Sequence, residues 1–181
     1  ARRSRKIDLE KFLIFNQQFV TLIRAGLPIL KGLDLLAERL TDPKLGPYIK
    51  SVRDEVRNGT LLSEAFRQQG ICIMQLTYNL QNYIGCGYWE EKDTGISSRF
   101  GKVALAEMAS VGIMVDLSHC GDRTTLEAIE MSPKPVAITH ANPREYVGAG
   151  GYGAGRAKTT EAIQALAKRG GVIGLSPNRN M

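Results

Sequence analysis

The pattern of apolar and polar positions changes period near residue 70, and that change organises the reading. From Asp8 to Ala25 the apolar residues Leu9, Phe12, Leu13, Phe19, Val20 and Ile23 recur at helical spacing, with Asp8 as N-cap and Gly26 as the stop. Pro28 opens a second helix carried by Leu30, Leu33, Leu36 and Leu40 and closed by Asp42 and Pro43. A third, Leu45 to Arg57, stacks Tyr48, Ile49, Val52 and Val56 and ends at Asn58 and Gly59; Ser63 caps a fourth, with Phe66 inside, before Gly70. Connections this short predict a small antiparallel bundle over residues 1–70.

Beyond Gly70 short β-branched runs take over. Strands are expected at Ile71 to Tyr78, Ile113 to Leu117, Pro135 to Thr139 and Gly171 to Leu175. Helices are expected between them at Gly101 to Ser110, from an Asp122 cap through Ile129, and at Thr159 to Lys168. Strict alternation implies parallel pairing with right-handed crossovers. Residues 71–181 hold four such strands and three helices, half of what an eightfold barrel needs, so the fold class is α plus α/β: a helical bundle followed by a partial TIM-like barrel. No Pro, Ser or charged spacer separates the two parts.

The matched exits of the second and third strands hold both histidines of the chain, His119 and His140. In a parallel barrel such positions share one rim, and two neutral imidazoles there suit zinc or a similar divalent metal. Asp116, inside an apolar strand, fits either a partner for an imidazole or a core carboxylate paired to a base. Cys120, beside His119, points away from it and is not taken as a ligand. Gly148, Gly150 and Gly153 fit G-x-G-x-x-G, but they lie several residues after the strand with no acidic residue about twenty positions on, so they read as a flexible loop. Trp89, Glu90 and Glu91 read as surface loop.

Composition narrows the alternatives without choosing among them. The 43% hydrophobic and 23% charged content is that of an ordinary globular chain. Most of the formal charge of +6 lies in residues 1–70, where 13 Lys and Arg face 8 Asp and Glu, and much of that excess is in Ala1 to Lys6, a solvated end; no nucleic-acid partner is expected. Cys72, Cys86 and Cys120 are odd in number and lack CxxC spacing, which argues for a reducing compartment. No apolar run approaches the ~20 residues of a membrane span, and Asp8, Glu10 and Lys11 interrupt the only signal-like start. The first residue is not methionine, which suggests a piece of a longer protein.

Two resemblances follow from particular segments. FNQQFVTLIRAGLPILKGLDLLAERLTDPKL and VRDEVRNGTLLSEAF, within residues 7–67, resemble the cytoplasmic helical domain of the type II secretion system F family, also found in type IV pilus assembly. That resemblance implies a role in assembly at the cytoplasmic face of a bacterial inner membrane, contacting an ATPase or pilus components. IMQLTYN, DTGISSRFGKVALAEM, GIMVDLSHCGDRT, PVAITHANPRE and ALAKRGGVIGL, within residues 70–176, resemble the membrane dipeptidase (renal dipeptidase) family of zinc peptidases. This second resemblance implies an (αβ)8 barrel with a binuclear zinc site that hydrolyses dipeptides. It makes His119 and His140 ligands of the second zinc, Arg156 the holder of the substrate carboxylate, and Tyr78 the occupant of a place where some members use a His. The family's amino-terminal His-x-Asp pair, bridging Glu and late Asp have no counterpart segments in this chain.

Two readings of function result: a metal-dependent dipeptidase-like fragment, incomplete or inactive alone, with a partial metal site and fused to a secretion-platform domain, or a non-enzymatic interaction module of a secretion or pilus machine. The open strand edges near Met74 and Ile173 further predict a homo-oligomer in which a second copy completes the barrel. Sedimentation tests this, and a monodisperse monomer is the contrary result.

Overall fold

A computed structural model of the 181-residue chain describes residues 7–147 and 152–177, and it divides into two compact units, 1–70 and 71–181.

The first unit is four helices: α1 (Leu9–Arg24), α2 (Ile29–Arg39), α3 (Leu45–Arg57) and α4 (Leu62–Gln68). Asp8 caps α1, its carboxylate accepting from the backbone N–H groups of Glu10 and Lys11 at 3.0 and 3.4 Å. Asp42 ends nothing by itself but caps α3, accepting from Leu45 N at 2.7 Å, and Lys11 Nζ donates to its other oxygen at 2.8 Å, pinning α1 to the α2–α3 turn. The fourth helix starts one residue before the expected Ser63 cap. Leu61 holds the N-cap position in extended backbone, its carbonyl accepting from Ala65 N, so Ser63 falls inside the first turn.

The buried face of α1 also differs from the expected stripe. Phe15 is buried and stacks between Phe12 and Phe19, with ring centroids 6.4 and 5.9 Å apart, while Leu9, Leu13, Val20 and Ile23 are exposed. Aromatic rings one turn apart fill the gap over Leu36, Ala37, Leu45 and Ile49, and that packing rotates the aliphatic residues outward. Leu33, Val52 and Ala65 close a second cluster.

The second unit is a four-stranded parallel sheet with helices between the strands. Its strands, β1 (Ile73–Gln75), β2 (Met114–Asp116), β3 (Ala137–Ala141) and β4 (Val172–Leu175), lie in sequence order. The connecting helices are α5 (Phe100–Val111), α6 (Asp122–Met131), α7 (Tyr152–Arg156) and α8 (Thr160–Lys168), with a short 3-10 turn at Arg144–Tyr146. Right-handed crossovers through helices are the only economical way to place consecutive parallel strands side by side. Leu117, Ile138, Leu105, Ile129 and Leu166 form the core between sheet and helices.

Several boundaries moved from the sequence expectation. The first strand is three residues, not eight, because Leu76 and Thr77 already turn into the loop that reaches the site. The third strand runs two residues further, so His140 lies within it. The glycine-rich segment is a one-turn helix, α7, over its described part, where a flexible loop and only three helices in this half were expected; Gly148 and Gly150 lie outside the described residues. Asp122 is the first residue of α6, not its cap. The cap comes from the loop instead: Asp93 accepts from Thr124 N at 2.9 Å and Thr124 Oγ1 at 2.7 Å. Only glycine fits before it, since a Cβ on Gly121 would lie 2.3 Å from Asp93 Oδ2. Asp122 is thereby free to take Arg144 in a two-pronged ion pair, both contacts at 2.7 Å.

Candidate metal centre

Strand β2 ends at Asp116, and the chain then passes Leu117 and Ser118 to His119, which is 3% exposed. Strand β3 carries His140, half-buried. Because β2 and β3 are adjacent and parallel, with Asp116 opposite Ala137, the two imidazoles meet: His119 Nε2 lies 3.1 Å from His140 Nε2.

The hydrogen bonds on the far side of each ring orient it. His119 Nδ1 is 2.6 Å from Asn79 Oδ1, a carbonyl oxygen that only accepts, so Nδ1 carries the proton. His140 Nδ1 is 2.8 Å from Thr139 Oγ1, which is also 2.7 Å from the Asp116 carboxylate. When that hydroxyl gives its proton to Asp116 it accepts from His140 Nδ1–H, and both Nε2 atoms then present lone pairs to each other; when it donates to the ring, His140 Nε2–H donates to His119 Nε2. Two lone pairs at this distance repel unless a proton or a cation lies between them. With zinc–nitrogen bonds of about 2.0–2.1 Å, a 3.1 Å separation subtends roughly 95–100° at the metal, within the range of a distorted tetrahedron.

Asp116 is the anchor of this arrangement. It is 4% exposed and accepts four hydrogen bonds, from Ser118 N and Oγ at 3.0 and 2.5 Å and from Thr139 N and Oγ1 at 3.0 and 2.7 Å. Burial pushes its carboxyl up, but these bonds outweigh burial and hold it below the usual aspartate value. Of the two roles open to it from sequence, the structure shows contact with an imidazole through Thr139 and, among the described residues, no paired base. His119 is held near pKa 4, first by burial and then by the positive Arg156 nearby, so it stays neutral at physiological pH, as a ligand must.

Tyr78 lies against this pair, its ring stacked on His119 with centroids 4.3 Å apart. Arg156, at the end of α7, is 9% exposed; its Nε is buried without a hydrogen-bond partner, and no ion pair among the described residues includes it. Sequence reasoning missed Tyr88, whose backbone N–H donates to the His119 carbonyl at 3.1 Å and whose ring lies 5.7 Å from the imidazole. It also missed Asn79, which sits at φ 63 beside Gly87, where a Cβ would come within 2.1 Å of the Asn79 carbonyl. Among the described residues no group of three or more His, Cys, Asp and Glu is placed to hold a metal ion. Two imidazoles are half of the donors a four-coordinate zinc site needs. Cys120 is buried, its Sγ accepting from Thr77 Oγ1, and takes no part.

Comparisons with known proteins agree with both halves of the sequence reading. The family model "Type II secretion system (T2SS), protein F" matches residues 15–84. Relatives of that part include a type IV pilus assembly protein PilC of Myxococcus xanthus, 29% identical over 34% of this chain and 15% of its own length. A type II secretion system protein F of Xanthomonas campestris is 35% identical over 43% of this chain and 19% of its own. Among solved structures, an amidohydrolase from Pseudomonas aeruginosa is 41% identical with a TM-score of 0.56, over 62% of this chain and 33% of that one. A metallo peptidase from Rhodobacter sphaeroides bound to a phosphinate mimic of L-Ala-D-Ala is 20% identical with a TM-score of 0.53, over 61% and 31%; it shares the fold. The chain spans under a fifth of the first two relatives' length and about a third of these structures. No helix among the described residues is long and apolar enough to cross a membrane. The model described as Membrane dipeptidase (Peptidase family M19) matches residues 56–180, more than half of the sequence, and the chain belongs to that family.

Proposed function

We propose that residues 71–181 are the metal-holding rim of a dipeptidase-type hydrolase, with His119 and His140 as ligands of one zinc ion. The observation that supports this most is the pair of Nε2 atoms 3.1 Å apart, each ring held by a bond on its other nitrogen. Zinc supplies Lewis acidity that makes water a nucleophile at neutral pH. The chain's own part is to orient the two rings, through Asn79 on one side and the Asp116–Thr139 relay on the other. Arg156 then takes a dipeptide carboxylate: it is buried, its Nε has no hydrogen-bond partner among the described residues, and a planar fork suits a two-oxygen anion. Tyr78 forms the wall over His119 where an imidazole stands in some relatives. The four strands are on this reading one part of a barrel, and a second copy joined edge to edge through β1 and β4 belongs to the same proposal.

The second reading places the working part in residues 1–70, as a module that contacts a secretion or pilus ATPase or platform protein at the cytoplasmic face of a bacterial inner membrane. The match to protein F and the exposed Leu9, Leu13, Val20 and Ile23 of α1 favour it. One preparation separates the two. Hydrolysis of L-Ala-D-Ala by the full chain, rising with added zinc, is expected on the first reading. Arg156→Met should then raise KM by roughly 30- to 100-fold, the loss of a two-pronged charged contact. No turnover at any zinc concentration, together with capture of a secretion ATPase by the chain, overturns the first reading in favour of the second.

A further inference from the structure

Between the loop that carries His119 and the segment that carries Arg156 lies a charged group that neither imidazole ligation nor carboxylate recognition uses. Lys158 is 1% exposed. Its Nζ donates to the Cys120 carbonyl at 2.7 Å and to Thr125 Oγ1 at 3.2 Å, and no ion pair among the described residues includes it. A buried ammonium facing only neutral oxygens is expensive. A methionine of similar length would fill the space without that cost, so packing does not account for a lysine here.

What the ammonium reaches is the carbonyl of the residue directly after His119. The neighbouring carbonyl, that of His119 itself, accepts from Tyr88 N at 3.1 Å, with Thr77 Oγ1, whose one proton is shared with Cys120 Sγ, at 3.3 Å. At the other end, the Lys158 backbone is bridged to the continuation of β3: its N–H donates to Asn142 O at 2.9 Å, and its carbonyl accepts from Arg144 N at 2.9 Å. Asn142 is two residues past His140, and Lys158 is two residues past Arg156. One residue therefore joins the three segments that bear His119, His140 and Arg156.

We propose that Lys158 is a positioning residue: by holding the Cys120 carbonyl against the β3 extension it sets the orientation of the His119 imidazole toward His140. Cross-strand contact fixes where the two strands run and Asn79 holds the His119 ring at Nδ1, whereas the backbone from which that ring extends lies past the end of β2 and is held by the peptides on either side of it. The cation-binding readout below rests on the metal reading of the imidazole pair; the ring-contact readout does not.

The test compares Lys158→Met and Thr125→Val with the unaltered full-length chain. Removing the buried charge should leave thermal stability unchanged or raised. Nuclear Overhauser contacts between the Tyr78 and His119 rings should fall at least about threefold in Lys158→Met, and cobalt(II) affinity should fall roughly 10- to 100-fold, the usual cost of losing a partner behind a ligand. Thr125→Val keeps the bond to Cys120 and should keep both signals. Unchanged ring contacts in Lys158→Met overturn the proposal, and so does an equal loss in Thr125→Val, which would make the effect one of packing. If the unaltered chain binds no cobalt, the metal reading falls and the ring contacts alone decide the role of Lys158.

Discussion

Replacing His119 by alanine is expected to abolish divalent-cation binding by the chain, with the dissociation constant for zinc or cobalt(II) rising by more than the roughly 10- to 100-fold that loss of an outer partner costs. The reason is the count of donors. Two nitrogens face one point, and with one gone the remaining imidazole, His140, is an ordinary half-buried histidine of weak single-site affinity. Calorimetric titration reads this directly. The fold should survive, because His119 makes its side-chain bonds to Asn79 and His140, while the neighbouring peptide is held by Tyr88, Thr77 and Lys158. Affinity unchanged from that of the intact chain would place the cation elsewhere and remove the hydrolase proposal with it.

The largest effect on stability is expected at Asp116. Asp116→Ala removes the acceptor for four hydrogen bonds at once and leaves the backbone N–H of the fully buried Ser118 without its acceptor; a loss of about 3–5 kcal/mol follows from breaking a buried charged network. Chemical denaturation measures it. The same carboxylate gives a pH dependence with a definite sign. Its pKa is below the ordinary value when folded, so its contribution is fully present above the unfolded aspartate value, near 4, and is lost as pH falls through the folded value. Asp116→Ala should flatten that acid limb. A variant as stable as the parent, with the same acid limb, would show that the four bonds are no better than those to water.

On the proposed reading of the imidazole pair, the variant should also weaken cation binding without touching either imidazole. With its proton on Asp116, Thr139 Oγ1 accepts from His140 Nδ1; without the carboxylate it donates to the ring instead. That reverses the tautomer and places a proton on His140 Nε2, the atom that faces His119. Stability and ligation are therefore coupled through one hydroxyl.

Much of the α1–α3 pattern was legible because capping and period are local. Asp8 and Gly26 bracket α1 through their own side chain and backbone, and Gly112, at φ 76, closes α5 in the same way. Alternation of strand and helix was enough to require parallel neighbours, and parallel neighbours bring His119, three residues past β2, to His140, which lies near the end of β3 rather than beyond it as expected. Local pattern failed where a distant residue replaced the nearby one. Asp93, far off in sequence, caps α6 in place of Asp122, and three phenylalanines turned α1 away from its longest aliphatic stripe. The site residues that went unread, Asn79, Tyr88 and Lys158, share the same cause: each acts on His119 across the loops, and no period or motif marks it.

The sequence by itself determined most of the element types, the parallel order and a histidine at or just past each of two neighbouring strands, because each depends on residues within a few positions of one another. Only the tertiary structure decided that the two rings are held at Nδ1 and turn their Nε2 atoms toward each other. Ring direction is settled by hydrogen-bond partners that are neighbours in space alone.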